Sequence, residues 1–226
     1  MAPSVQAVYQ FLVELAEHAR QPALKEIEDL KTIAAENGVT EIQPWDSTYY
    51  SEKLKVQQFN LSQEALKPYF PTPKVIQGLF SIVNRLYGIQ VIERGAPLWH
   101  KDAHYYELED QGIVIGGFYF DLYARSGKRG GAWMSGFRSR MQTNDGLQKP
   151  ICYMVGNFTP PVGDQPALLT HDEVVTLFHE FGHGLHHMLT EVDNISVAGT
   201  HGVAWDAVEL PSQFMEFWTC DNESLA

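Results

Sequence analysis

Only two cysteines, Cys152 and Cys220, occur in the 226 residues. Their contexts are unrelated, which excludes a disulfide-built scaffold and a cysteine-rich metal site. Cys152 falls in an apolar stretch where cysteine serves as a small hydrophobe. No run reaches about 18 apolar residues, and no basic region followed by an apolar core opens the sequence. The expectation is therefore a soluble, cytoplasmic protein with no membrane partner. Basic residues are also scarce: 16 Lys and Arg stand against 28 Asp and Glu, a net charge of −12. With no basic cluster beyond Lys128-Arg129, nucleic acid is excluded as a partner. There is no G-x-S-x-G, so a nucleophilic serine of that kind is absent. The stretch Ser126-Gly127-Lys128-Arg129-Gly130-Gly131 lacks the G-x-x-x-x-G-K-[ST] arrangement of a phosphate loop and reads as a flexible turn. Internal repeats and low-complexity tracts are missing as well. What remains is 44% hydrophobic and 19% charged, a globular composition sufficient for one large domain or two small ones.

The first 88 residues read as helices. One spans Ser4 to about Arg20. A second has Pro22 in its first turn and stops at Gly38, and a third is capped by Asp46 or Ser47. After the breaks at Pro68, Pro71 and Pro73, a fourth runs from about Lys74 to Tyr87, closed by Gly88. From residue 89 to 158 the pattern changes. Ile89–Glu93, Tyr105–Glu109, Ile113–Tyr123 and Tyr153–Phe158 are rich in β-branched and aromatic residues and read as strands. Asp110-Gln111-Gly112 turns the second into the third. The expected fold class is mainly α with a small β-sheet, α+β.

Chemistry concentrates in residues 170–226, above all in THDEVVTLFHEFGHGLHHML. Thr170 and Glu173 form a capping box that starts a helix. Val174, Phe178, Phe181, Leu185 and Met188 make one apolar stripe along it. His179 and His183 fall roughly opposite the stripe, about 6 Å apart along the axis. Two neutral imidazoles on one face can hold one zinc ion, and Glu180 beside them can take a proton from water there. His179-Glu180-Phe181-Gly182-His183 is thus an H-E-x-x-H motif. A third histidine at the H-E-x-x-H-x-x-G-x-x-H spacing is missing, since that position holds Leu189. His186 and His187 lie about 10 to 12 Å further along the axis from His179, too far to share its ion. The better third ligand is Glu209, in Trp205-Asp206-Ala207-Val208-Glu209-Leu210-Pro211-Ser212-Gln213. Asp206, three residues before it, can hold the second ring nitrogen of a ligand histidine. The alternative is that Asp206 is only an N-cap and Glu209 its capping-box partner. Gly199-Thr200-His201-Gly202, between the two segments, is either a plain connector or a loop whose Gly199, Thr200 and His201 contact substrate. The exposed edge of the small sheet is likewise either ordinary or able to pair with an extended peptide backbone.

FHEFGHGLHHML followed by SVAGTHGVAWDAVELPSQFMEFW, with GGFYFDLYARSGKRGGAW and LQKPICYMVGNFTPP upstream, resembles the thimet oligopeptidase family of zinc metallopeptidases, most closely a bacterial member. The resemblance runs from about Tyr49 through Trp218. It implies a zincin-type catalytic region, with the H-E-x-x-H helix packed beside a small sheet. It also implies a zinc-dependent endopeptidase that cuts short peptide substrates in a channel between two mostly helical halves. It assigns one zinc ion to His179, His183 and Glu209, and the general base to Glu180. The family's chains begin earlier and run on further, so residues 1–226 are expected to be a single fragment of a larger catalytic domain. In the family a later segment supplies tyrosine and histidine to the developing oxyanion. Residues 210 to 226 contain neither, so this chain alone is expected to bind zinc but to cleave poorly.

Overall fold

The strand-rich middle of the sequence forms one mixed five-stranded sheet in the computed structural model, which describes residues 2–224. Its strands are β1 (Gln90–Arg94), β2 (Ala103–Asp110), β3 (Ile113–Tyr123), β4 (Trp133–Arg138) and β7 (Ile151–Phe158), in the order β1-β2-β3-β7-β4. β5 (Met141–Thr143) and β6 (Gly146–Gln148) form a separate small hairpin. The β2–β3 turn is the expected one: Gln111 and Gly112 take φ of 49° and 79°, the two left-handed positions that suit the twist of a tight hairpin. β3 pairs with β7 in parallel and β4 pairs with β7 antiparallel, which leaves β4 at the edge. β4 and the β5–β6 hairpin are additional to the strands read from the sequence.

Contacts divide the chain between Ala65 and Leu66 into two units. In the first, α1 (Val5–Glu36) runs unbroken through Pro22, where a helix boundary was expected. Proline withholds a single N–H from the ladder, and the helical turns on both sides keep the rest. Ser4 caps α1 by accepting from the Ala7 N–H at 3.1 Å. The core of this unit gathers Ile33 and Ala34 with Tyr50 of α2 (Ser47–Phe59). Val5, Val8, Leu12 and Leu15, the apolar stripe of the first half of α1, are exposed. The one-turn helix α3 (Gln63–Leu66) follows in sequence.

In the second unit, α4 (Thr72–Tyr87) ends at Gly88 with a left-handed cap, as its sequence requires. It packs Val75, Leu79, Ile82 and Val83 into a core shared with Leu108, Phe118, Phe120, Cys152 and Met154 of the sheet. α5 (His171–Met188) closes the same core with Val174, Leu177, Phe178, Phe181, Leu185 and Met188. Phe181 is fully buried among Phe80, Phe118 and Phe120. Burial of a side chain of that size contributes about 1.5–3 kcal/mol. The capping box at Thr170 and Glu173 is closed in both directions. α5 thus lies against β7, β4 and β3, with the side opposite its apolar stripe left for other work. α6 (Leu210–Glu216) is seven residues long and packs on α5.

The Ser126–Gly131 turn is pinned rather than loose. The Lys128 side chain is buried, and its ammonium donates to the Asp121 carboxylate at 3.0 Å and to the Asp121 and Tyr123 carbonyls at 2.7 and 2.8 Å. Arg125 adds two bonds to Asp121, and the Trp99 indole N–H a third partner at 2.9 Å. Burial alone would raise the Asp121 pKa. The hydrogen bonds from Arg125, Trp99 and Lys128 outweigh it and hold the carboxyl well below its usual range. Since β4 begins just after this turn, the cluster helps to fix the edge strand.

Candidate metal site

α5 presents His179 and His183 side by side, their ring centroids 4.9 Å apart. Glu209, the residue before α6, reaches both: its Oε2 lies 3.3 Å from His179 Nε2 and 3.1 Å from His183 Nε2. One ligand atom from each of the three lies within 4.8 Å of the others. Burial pulls the His183 pKa below its ordinary value, against the opposing pull of the Glu209 carboxylate. A neutral imidazole is the form that offers a lone pair. Two imidazoles and one carboxylate converging on one point make a donor set that fits zinc with a coordination position left over.

The approach of α6 to α5 depends on Gly182. A Cβ at that position would run into the Pro211 carbonyl oxygen and sit 2.6 Å from the Ser212 Cα. Only a residue without a side chain lets the start of α6 come this close, and that contact delivers Glu209 to the histidines. Ser212, fully buried, then donates to the Glu209 backbone carbonyl at 2.8 Å and to Oε2 at 2.9 Å.

The partner of the His179 ring is Glu216. Its Oε1 lies 2.6 Å from His179 Nδ1, which leaves Nε2 toward Glu209. The sequence had offered Asp206 for such a role, on the premise that a helix begins there. Residues 205–209 instead form a turn, and Asp206 is exposed within it. Because the helix starts at Leu210, the carboxylate that shares a face with Glu209 lies two turns on, at position 216. Counting from the correct start would have found it.

Glu180 sits between the ligand candidates in sequence and faces β4. Burial raises its pKa above the ordinary carboxylate range, opposed by His179 and by a hydrogen bond from the Met134 backbone N–H. Met134 belongs to β4, the edge strand that packs against α5. That neighbour was invisible in the sequence, where β4 has no strand signal.

The remaining candidates lie elsewhere. Gly199 lines a cavity of about 420 Å³ with Gly182, His186, Leu185 and Pro211. His201 Nδ1 lies 3.2 Å from the Ala198 carbonyl and 3.4 Å from Ser139 Oγ. Thr200 stands between them in the same turn. His187 is buried, with Nε2 3.1 Å from the Arg138 carbonyl at the end of β4, and so joins α5 to the edge strand.

The chain is 54% identical to oligopeptidase A of Escherichia coli strain K12. It is 37% identical to the dipeptidyl carboxypeptidase of the same strain and 32% identical to saccharolysin of Saccharomyces cerevisiae. Each alignment covers 100% of this chain but 34%, 33% and 34% of those proteins, so the chain spans about a third of the length of these relatives. Residues 1–226 also match peptidase family M3 from end to end, and on that match the chain belongs to peptidase family M3.

Proposed function

We propose that this chain carries the catalytic centre of a zinc-dependent endopeptidase that hydrolyses internal bonds of short peptides, as an oligopeptidase does. The observation that carries the reading is the convergence of His179, His183 and Glu209 within 4.8 Å beside a half-buried carboxylate, Glu180. When bound, zinc would supply Lewis acidity, which makes water available as a nucleophile near neutral pH. The general base and the groups that hold the ligands belong to the chain. Glu180 takes the proton of the attacking water and passes it to the departing nitrogen. Its upward-shifted pKa suits a group that must both accept and release a proton. Glu216 on Nδ1 and Ser212 on Oε2 hold His179 and Glu209 in their facing positions. The free edge of β4 runs past Glu180 and can hold an extended peptide by backbone hydrogen bonds. A helix with its ligand pair beside a mixed sheet whose edge strand is antiparallel supports the zincin-type reading.

Two measurements test the proposal. Elemental analysis of the purified chain should find about one zinc per molecule under this ligand pattern, and Glu209→Ala should lose it. Glu180→Gln should keep the metal while hydrolysis, measured in the full-length protein, falls by about 10² to 10⁴. A Glu209→Ala protein that held zinc as tightly as the parent would remove Glu209 from the site. Unchanged turnover in Glu180→Gln would remove the base.

A further inference from the structure

The face of the sheet turned away from α5 carries a row of aromatic rings that the reaction as described does not use. Tyr105 of β2 lies 4.8 Å from Tyr119 of β3, ring centroid to centroid, and Tyr119 lies 5.5 Å from Tyr153 of β7. Tyr153 lies 5.1 Å from Phe137 of β4. Trp99 spans the middle of the row at 5.2 Å from Tyr119 and 5.4 Å from Tyr153. Its indole is held by Asp121, the same carboxylate that anchors Lys128 and Arg125. The register explains the alignment: Tyr105 is opposite Tyr119, Tyr119 opposite Tyr153, and Tyr153 opposite Ser135. At the last step the ladder shifts between Gly136 and Arg138, and Phe137 is the extra residue. A bulge of this kind re-aims a side chain, and here the ring lies against Tyr153 while remaining 58% exposed. The row therefore ends at the open edge of the sheet, on β4, the strand that packs against α5.

We infer that Phe137, backed by Tyr153 and Trp99, is a specificity surface that selects a bulky apolar side chain, aromatic above all, on an extended peptide lying along β4. The inference rests on the proposed peptidase reading and adds to it a preference in the substrate. A peptide added as a strand beside β4 sends alternate side chains to opposite faces of the sheet. One set would face α5 and the ligand candidates. The other set would come beside Phe137 and the small, exposed Ser135, which leaves room next to the ring. Aromatic neighbours across strands attract one another beyond simple burial. The Asp121 cluster fixes Trp99, so the surface is rigid before a peptide arrives, and little ordering is lost on binding.

The test uses the zinc-loaded full-length protein carrying Glu180→Gln, so that peptides bind without being cut. The probes are blocked seven-residue peptides of alanine and serine in which one phenylalanine is moved through successive positions, with binding read by calorimetry. The expected result is alternation: phenylalanine at every second position tightens binding about three- to tenfold over alanine. Adding Phe137→Ala should flatten the alternation, and Phe137→Leu should restore part of it. If the peptides bind without alternation, or if alternation survives in Phe137→Ala, this inference is overturned while peptide binding stands. If none of the peptides binds, both the inference and the reading beneath it fail.

Discussion

His179 and His183 stand on an 18-residue helix with a closed capping box and nine buried residues. Glu209 precedes a helix of seven residues and keeps half of its side chain exposed. A helix as short as α6 has little stability of its own, so its position is borrowed from α5 through Gly182 and Ser212. The difference separates two kinds of dependence. The histidine half of the site should survive damage to the glutamate half, whereas the glutamate half should fail whenever its contact with α5 is disturbed. Damage at the contact should therefore appear as lost metal affinity with the fold intact.

Among residues that support the ligands, the largest expected effect comes from Gly182→Ala. The new methyl meets backbone of α6, which cannot swing aside as a flexible side chain would. Overpacking of this sort costs about 1–3 kcal/mol, which should reach about a hundredfold in zinc affinity. Helix content by circular dichroism should hardly change. Equal losses of metal and of fold would erase the distinction between the two segments.

Next comes Glu216→Gln, which keeps a hydrogen-bonding group at His179 Nδ1 but removes the charge. Loss of such a supporting partner costs 10- to 100-fold in metal affinity. The neutral replacement should fall near the low end, about tenfold, by competition with a zinc-binding dye. No change there would mean that the packing of α5 alone orients His179.

The smallest is Ser212→Ala. It removes one buried hydroxyl shared between the Glu209 carbonyl and carboxylate, worth about 0.5–1.5 kcal/mol. Zinc affinity, by the same competition, should drop only a few-fold.

The same contrast governs what could be read from the sequence. α5 was legible because everything that specifies it is local: a cap at Thr170, a stripe at helical spacing, and two histidines four residues apart. α4 and its closing Gly88 were legible for the same reason. The α6 side was not. Whether Asp206 or Glu216 serves His179 depends on where a seven-residue helix begins, and the sequence set that start near Asp206 rather than at Leu210. Gly182 carries no local signal of its own, and its role shows only where the backbone of Pro211 and Ser212 lies against it. β4, Trp-Met-Ser-Gly-Phe-Arg, lacks both alternation and β-branched residues, and its strand state comes from pairing with β7. The glycine-rich stretch before it was expected to be flexible, since nothing local says that Lys128 is buried against Asp121. α1 was split at Pro22 on a sound local rule that the intact helix overrides.

The strand order β1-β2-β3-β7-β4 also sets a timetable for a chain that emerges from its amino end. β1, β2 and β3 are neighbours in sequence as well as in space and can pair by short-range closure as soon as they exist. β4 is made before β7 but has no partner until β7 arrives, because it joins the sheet only through that later strand. α5, which packs on both, is made later still. The edge beside Glu180 and the histidine pair therefore come together only in the last stage of folding this unit. A nascent chain that has built only the β1–β2–β3 meander carries no assembled site, because β4, β7, α5 and α6 all follow it in sequence.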